Sequence, residues 1–185
     1  MDELKEAFPE IYEVIVDATE QRIERPGNKR QNKKYRSGKK KAHTVKTQIM
    51  ADAQRGYIVH VSQTVEGKRH DFRLFQDTVA PSAKGELVHM LADSGYQGIA
   101  KRFPNLRATT TVRRFRGVPR LTRAQKWFNR KVSKVRVRVE HALGKMKQFK
   151  LLSQVYRHDL TQYNTFFKAI ATLVNLRLSL RVQTT

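Results

Sequence analysis

The chain has 185 residues and carries 38 Lys+Arg against 16 Asp+Glu, a formal net charge of +22. Charge of this size works against compaction unless a polyanion offsets it, so it points to a nucleic-acid partner rather than a merely soluble basic protein. There is no cysteine, which excludes disulfides, thiolate metal sites and thiol nucleophiles, and no apolar run approaches the ~20 residues of a membrane span.

The N-terminal residues 1–8 are acidic and amphipathic and lack the shape of a signal peptide. With the missing cysteines, this fits the reducing cytoplasm and no membrane partner. Residues 11–19 alternate and then run apolar, which predicts a buried strand ending at Asp17. Residues 25–41 hold nine basic residues and no acid, and Pro26, Gly27 and Gly38 punctuate them, which predicts a loop and not a helix. Residues 43–50 and 57–64 read as two strands joined by a turn. A short helix is expected from Asp71, whose carboxylate can cap the amides that follow. Residues 87–92 form a second buried strand ended by Asp93 and broken by Ser94 and Gly95. Residues 107–112 are β-branched and read as a further strand, and 113–121 form a second basic loop.

Phe128, Val132, Val135, Val139, Leu143 and Met146 are spaced by 4, 3, 4, 4 and 3, one face of a helix over about 122–149. Trp127 and Phe128 are expected in the core at its start. Residues 161–180 are apolar on most sides and read as a firmly packed helix capped by Asp159 or Thr161. Three strands in succession, then alternating helix and strand, imply one domain over 1–185. The expected fold is α/β, an RNase H-like mixed five-stranded sheet flanked by helices.

Acids are scarce where they matter. Between Ser94 and His158 there are eighteen Lys+Arg and one acid, Glu140, mid-helix. Alone it would be an ordinary helix ion pair with Arg136 at i, i+4. Asp17 and Asp93 each follow an apolar strand, where Asp is poorly suited. Each has the ordinary role of capping a neighbouring amide open to it. Together the three form a constellation: hard divalent cations take oxygen ligands, and two such ions can activate an attacking oxygen and stabilise a leaving one. Rival chemistries lack residues: no glycine-rich phosphate loop, no G-x-S-x-G serine and no i, i+4 histidine pair is present.

At these residues the chain resembles the DDE transposases of bacterial insertion sequences, most closely the insertion-sequence-five group. The matching segments are 16–20 (Val-Asp-Ala-Thr-Glu), 37–46, 67–71 (Gly-Lys-Arg-His-Asp), 92–98 and 136–147, and the likeness spans about Ile11 to Leu180. The resemblance implies that Asp17, Asp93 and Glu140 are the catalytic, metal-binding triad, holding two Mg²⁺ or Mn²⁺ ions. It implies that Arg136 and Lys147 are basic partners around the Glu, and that His70, Asp71 and Tyr96 are supporting residues. The family signature places a Tyr seven positions before the Glu; here that position is Ser133. DNA phosphates are expected at Lys33, Lys34, Arg36, Lys39, Lys40 and Lys41, at Arg113, Arg114, Arg116 and Arg120, and at Arg136 and Lys147.

The activity implied is metal-dependent DNA cleavage and strand transfer at transposon ends, in a homo-oligomer acting on the bacterial nucleoid. Members carry an N-terminal helical DNA-binding domain, whereas sixteen residues precede Asp17. A separate N-terminal DNA-binding subunit, a split gene or a relic are the expectations this raises. From Asp93 to Glu140 is 140 − 93 = 47 positions, too few for a large insertion domain. Two other readings stay open: an inactive or domesticated basic fragment that binds nucleic acid, and an RNase H-like nuclease.

Overall fold

The computed structural model describes residues 11–78, 89–104, 106–114 and 120–183. Its centre is β1 (Glu13–Arg22), in which Val14, Ile15 and Val16 are wholly buried because both faces of the sheet are covered. On one side β1 pairs antiparallel with β3 (Ala42–Asp52), Asp17 opposite Ile49 and Glu20 opposite Lys46. On the other it pairs parallel with β6 (His89–Ala92), which pairs parallel with β7 (Ala108–Thr110). The far edge of β3 is shared by β2 (Arg36–Ser37), β5 (Val65–Glu66) and β4 (Ile58–Val61). The order β4–β3–β1–β6–β7 is the expected five-stranded mixed sheet, with β2 and β5 as short additions.

Each face has its own core. Ile15, Val45, Ile49 and Leu91 pack on Val139, Leu143 and Met146 of α4 (Arg123–Met146) and on Tyr163, Phe167, Ile170 and Val174 of α6 (Leu160–Gln183). Val14, Val16, Met50 and Met90 pack on Phe75 of α2 (Asp71–Thr78), on Tyr96 in the single 3₁₀ turn Ser94–Tyr96, and on Ile99 of α3 (Ile99–Arg102). Along β1 the odd residues therefore face α4 and α6 and the even ones face α2, as the strand period of two requires. A capping box starts α4: Gln125 N donates to Thr122 Oγ1 (3.1 Å) and Thr122 N to Gln125 Oε1 (3.0 Å). Asp159 receives both the amide and the hydroxyl of Thr161 at the start of α6. The short α5 (Lys150–Ser153) lies between the two long helices. Among the described residues no helix is long and apolar enough to cross a membrane.

Several expectations are corrected. Asp17 does not end its strand; β1 runs on to Arg22 because β3 is equally long and pairs with it as far as Thr44. The basic segment is not all loop, since Lys29–Tyr35 forms α1. Pro26 and Gly27 stand before it, and Asn28 caps it by accepting from Arg30 N at 2.8 Å. Asp71 caps nothing described: His70 Nδ1 receives the Phe72 amide instead, at 3.3 Å. The strand expected over 57–64 is shorter, β4 over Ile58–Val61, and β5 follows it at Val65–Glu66. α6 buries one face, while Phe166, Leu173 and Leu176 on the other remain exposed. The start of the predicted strand at 87–88 and Arg116 lie outside the described residues.

Gly67 shows how tightly the segment before α2 sits on β3. Its amide donates to Thr44 O at 2.8 Å, and a Cβ added there would lie 1.7 Å from Thr44 Oγ1. The expected cost of Gly67→Ala is about 1–3 kcal/mol, the range for overpacking, seen as a lower urea midpoint. An unchanged midpoint would show that this contact yields freely.

Candidate active site

The register of two parallel strands builds the site. Ile15 is paired with Leu91, and both belong to the core beneath α4. Two residues further along each chain come Asp17 and Asp93, which therefore stand side by side on the same face. Each fixes one oxygen on its own backbone: Asp17 Oδ1 accepts from Ala18 N (2.8 Å), and Asp93 Oδ1 accepts from Gly95 N (2.7 Å). The ordinary capping role of both acids is thus real, and it holds each carboxylate in one orientation. Gly95 is needed for closeness, because a Cβ there would meet Asp93 Oδ1 at 2.9 Å.

Asp17 is 23% exposed at its side chain, with Arg136 Nη2 of α4 at 4.0 Å from Oδ2. Burial pushes its carboxyl up to about 6; Asp93 and Asp71 push the same way, while the Ala18 amide and Arg136 pull it down. Lys147, just past the end of α4, is held below its ordinary value by partial desolvation and by Lys40, with Asp17 acting the other way. Lys147 is thus within reach of the charge on Asp17 and of that on Lys40 in the β2–β3 turn.

Basic side chains gather on two further surfaces. Arg25, Lys29, Lys33, Arg36 and Lys68 line an open groove of about 1020 Å³ beside His43. Lys34, Lys39, Lys40 and Lys41 are exposed next to it. Arg113, Arg114 and Arg120 are exposed on the second basic segment. Asn129 of α4 ties that segment down by accepting from Val112 N (2.8 Å) and donating to Val112 O (3.0 Å). Trp127, expected in the core, is 63% exposed instead, with Lys131 Nζ 5.2 Å from its ring centroid. It lies one residue off the apolar face, about 100° around the helix, whereas Phe128 is half-buried.

A profile of the DDE superfamily endonucleases matches residues 16–175. The chain is 35% identical over 168 residues to a probable transposase for insertion sequence element IS702 from Microchaete diplosiphon, covering 91% of this chain and 58% of that protein. It is 31% identical over 105 residues to a putative transposase for insertion sequence element IS112 from Streptomyces albus G, covering 57% of this chain and 38% of that one. The chain belongs to the DDE transposases of insertion sequences. The solved piggyBac transposase, in a synaptic complex with hairpin DNA, shares the fold at a TM-score of 0.56 and 10% identity, over 90% of this chain and 46% of that one. The sheet is thus RNase H-like, as its strand order implied. The chain spans little more than half the length of the IS702 protein.

The third acid of the expected triad is Glu140. It is exposed on α4, one turn after Arg136, and the ion pair between those two is not formed, since Arg136 turns to Asp17. Among the described residues, no three His, Asp or Glu side chains lie close enough to share one ion. The structure therefore brings Asp17 and Asp93 together and leaves Glu140 outside the pair. Ser133, at the place of the family's Tyr, is exposed. Tyr96 is buried to 1% against Phe75, ring edge to face at 6.3 Å. Sequence reasoning missed Lys46, a buried lysine whose Nζ is 2.8 Å from Asp71 Oδ1 and 3.8 Å from Glu20 Oε1. Its only sequence signal was the alternation of β3; the facing acid Glu20 needs the strand register to be seen.

The raised Asp17 carboxyl gives a signed pH dependence. The folded chain keeps this proton longer than the unfolded one, so metal-free stability falls as pH rises from 3.8 to about 6. At about 1.36 kcal/mol per pKa unit the whole loss is about 3 kcal/mol. Metal-free Asp17→Asn protein should therefore melt above wild type at neutral pH, and the two should converge below pH ~4. Equal melting across that range would show that charge at Asp17 costs nothing.

Proposed function

We propose that this chain is the catalytic part of a transposase that cuts and joins DNA at transposon ends, with Asp17, Asp93 and Glu140 as its acids. The observation that carries this is the pairing of Asp17 and Asp93 on adjacent parallel strands under a helix rich in Arg and Lys. The donor set fits a hard divalent cation such as Mg²⁺ or Mn²⁺: carboxylate oxygens, one already disfavoured as an anion by burial and by like charge. When bound, two such ions supply charge that activates the attacking oxygen and stabilises the leaving one.

The chain's own residues do the rest. Asp17 and Asp93 present a fixed oxygen pair because their other oxygens are held by backbone amides. Arg136 balances Asp17 in the absence of other cations. Glu140, exposed and unpaired among the described residues, is free to turn toward the pair once cations relieve the repulsion between three carboxylates. Lys147 lies within the influence of both Asp17 and Lys40, and it is the basic residue assigned to hold a phosphate beside the acids. Such contacts position DNA without reading it. Recognition of the terminal repeats is assigned to a separate DNA-binding unit, and the working complex to more than one copy on the nucleoid.

The second reading, a basic fragment that binds DNA but never cuts it, is favoured by the outlying position of Glu140. Amide variants decide between them. Asp17→Asn, Asp93→Asn and Glu140→Gln should each abolish Mg²⁺- or Mn²⁺-dependent nicking of a terminal-repeat duplex while changing DNA affinity little. Nicking by Glu140→Gln at the wild-type rate would remove Glu140 from the site, and no nicking by wild type on any duplex, alone or with its partner unit, would favour the fragment.

The basic surface has its own test. Replacing Lys39, Lys40 and Lys41 by Ala should flatten the slope of log affinity against log salt by about 2–3, close to 0.9 per lost phosphate contact. Cognate and scrambled duplexes should behave alike. A cognate preference on the order of 10³ would show that this chain reads sequence itself.

A further inference from the structure

Asp71 heads α2, yet it leaves the capping of that helix to His70 and turns sideways into the protein. Its Oδ1 lies 2.8 Å from Lys46 Nζ. Lys46 is buried on the α2 face of β3, where it also donates to Arg69 O and faces Glu20. A buried ammonium must be paired, and here it clamps Asp71 in one orientation. The other oxygen of Asp71 stays on the Gly95 side: a Cβ built on Gly95 would lie 3.7 Å from Asp71 Oδ2 and 2.9 Å from Asp93 Oδ1. Asp71 and Asp93 therefore flank one glycine, approaching it from two elements.

Tyr96, the next residue, supplies an independent observation. It is 1% exposed, its ring is set edge-on against Phe75, and its hydroxyl has no hydrogen-bond partner. Leaving a buried hydroxyl unpaired is unfavourable. The charges that bear on this hydroxyl are those of Asp71, Asp17 and Asp93, with Arg136 opposing, so it is aimed into the acidic centre. Nothing in the packing of α2 or of the 3₁₀ turn needs a hydroxyl there; Phe would fill the same space.

We propose that Asp71 and Tyr96 are positioning residues of the cation site at Asp17 and Asp93, acting through water in the cation's hydration shell. This rests on the reading of Asp17 and Asp93 as a cation-binding pair. A hard cation such as Mg²⁺ keeps several waters, and each needs acceptors for its hydrogens. The Asp71 carboxylate, locked by Lys46, and the Tyr96 oxygen are the acceptors that face the pair. Asp71 also adds negative charge to the centre without displacing a direct ligand. His70 does not serve as such an acceptor, since its Nδ1 accepts from the Phe72 amide and its Nε2 then carries the proton.

The test is Mn²⁺ binding to the whole chain, read from the electron spin resonance signal of the free ion, beside thermal melting without metal. Asp71→Asn should weaken Mn²⁺ binding about 10-fold or more with unchanged stoichiometry, the range for groups that orient a metal's ligands. Asp71→Glu, which keeps the charge, should recover most of the loss. Tyr96→Phe removes no hydrogen bond from the metal-free protein, so its metal-free melting should equal or exceed that of wild type while Mn²⁺ binding weakens severalfold. A Tyr96 that only fills space would give the same melting with Mn²⁺ binding unchanged.

If Asp71→Asn fails to fold, because Lys46 loses its partner, Tyr96→Phe alone decides. Mn²⁺ affinity unchanged in Tyr96→Phe, or in a folded Asp71→Asn, overturns the proposal. If Asp17→Asn meanwhile abolishes binding, the Asp17–Asp93 pair survives that failure. If Asp17→Asn and Asp93→Asn both bind Mn²⁺ like wild type, the pair itself is wrong and this inference falls with it.

Discussion

The molecule is organised around like charges placed under cover. Parallel pairing of β1 with β6 sets Asp17 and Asp93 on one face at one depth, and α4 closes over them. Asp71 arrives over Gly95 from the other side of the sheet. Burial of Asp17, and to a lesser degree the like charges of Asp93 and Asp71, is why Asp17 holds its proton to about pH 6. Against this the fold offers Arg136 at 4.0 Å and Lys46 on Asp71. Such an arrangement is unfavourable for a protein that only needs to be stable. It is favourable for one that gathers cations and phosphates at one point.

Rigidity at that point comes from the sheet. Val14, Ile15 and Val16 are buried on both faces, so the strand carrying Asp17 cannot shift without exposing a core on each side. The backbone amides of Ala18 and Gly95 then fix the carboxylates themselves. On the face opposite α4, Thr44 donates to Glu20, Glu20 lies near Lys46, and Lys46 holds Asp71. This polar line runs through the interior of β1 and β3 and ends at the acidic centre. Glu140 has no comparable restraint: it stands exposed on the helix, the one acid whose position depends on a side-chain rotation.

The five principal strands, the long helices and the Asp pair were legible in the sequence because each rests on a local signal. The apolar runs before Asp17 and Asp93 and the 3.6-residue spacing from Phe128 to Met146 are independent of tertiary context. What failed was what needs a partner to be seen. Asp17 looked like a strand end because Thr19 and Gln21 are polar, yet both are buried in β1 by pairing with an equally long β3. Asp71 looked like a cap because a helix starts there; Lys46, 25 positions earlier in sequence (71 − 46), takes it instead. Pro26 and Gly27 were read as breaking a helix that they merely precede. Trp127 was read by its hydrophobicity, when its angular position on α4 decides its exposure.

The distribution of charge follows from the same constraint. Lysines and arginines crowd α1, the β2–β3 turn and the segment tied to α4 by Asn129, and Arg136 and Lys147 bring that charge to Asp17. A uniformly basic surface would hold DNA anywhere. Here partial desolvation and the nearby charge of Lys40 lower the basicity of Lys147, a cost that an incoming phosphate relieves. Arg136 and Lys147 therefore put part of the pull on a polyanion beside Asp17. Cations held by the carboxylates would extend that pull across the acidic centre itself. In the proposed function, acids that would otherwise repel a phosphate backbone become the place where it is drawn in.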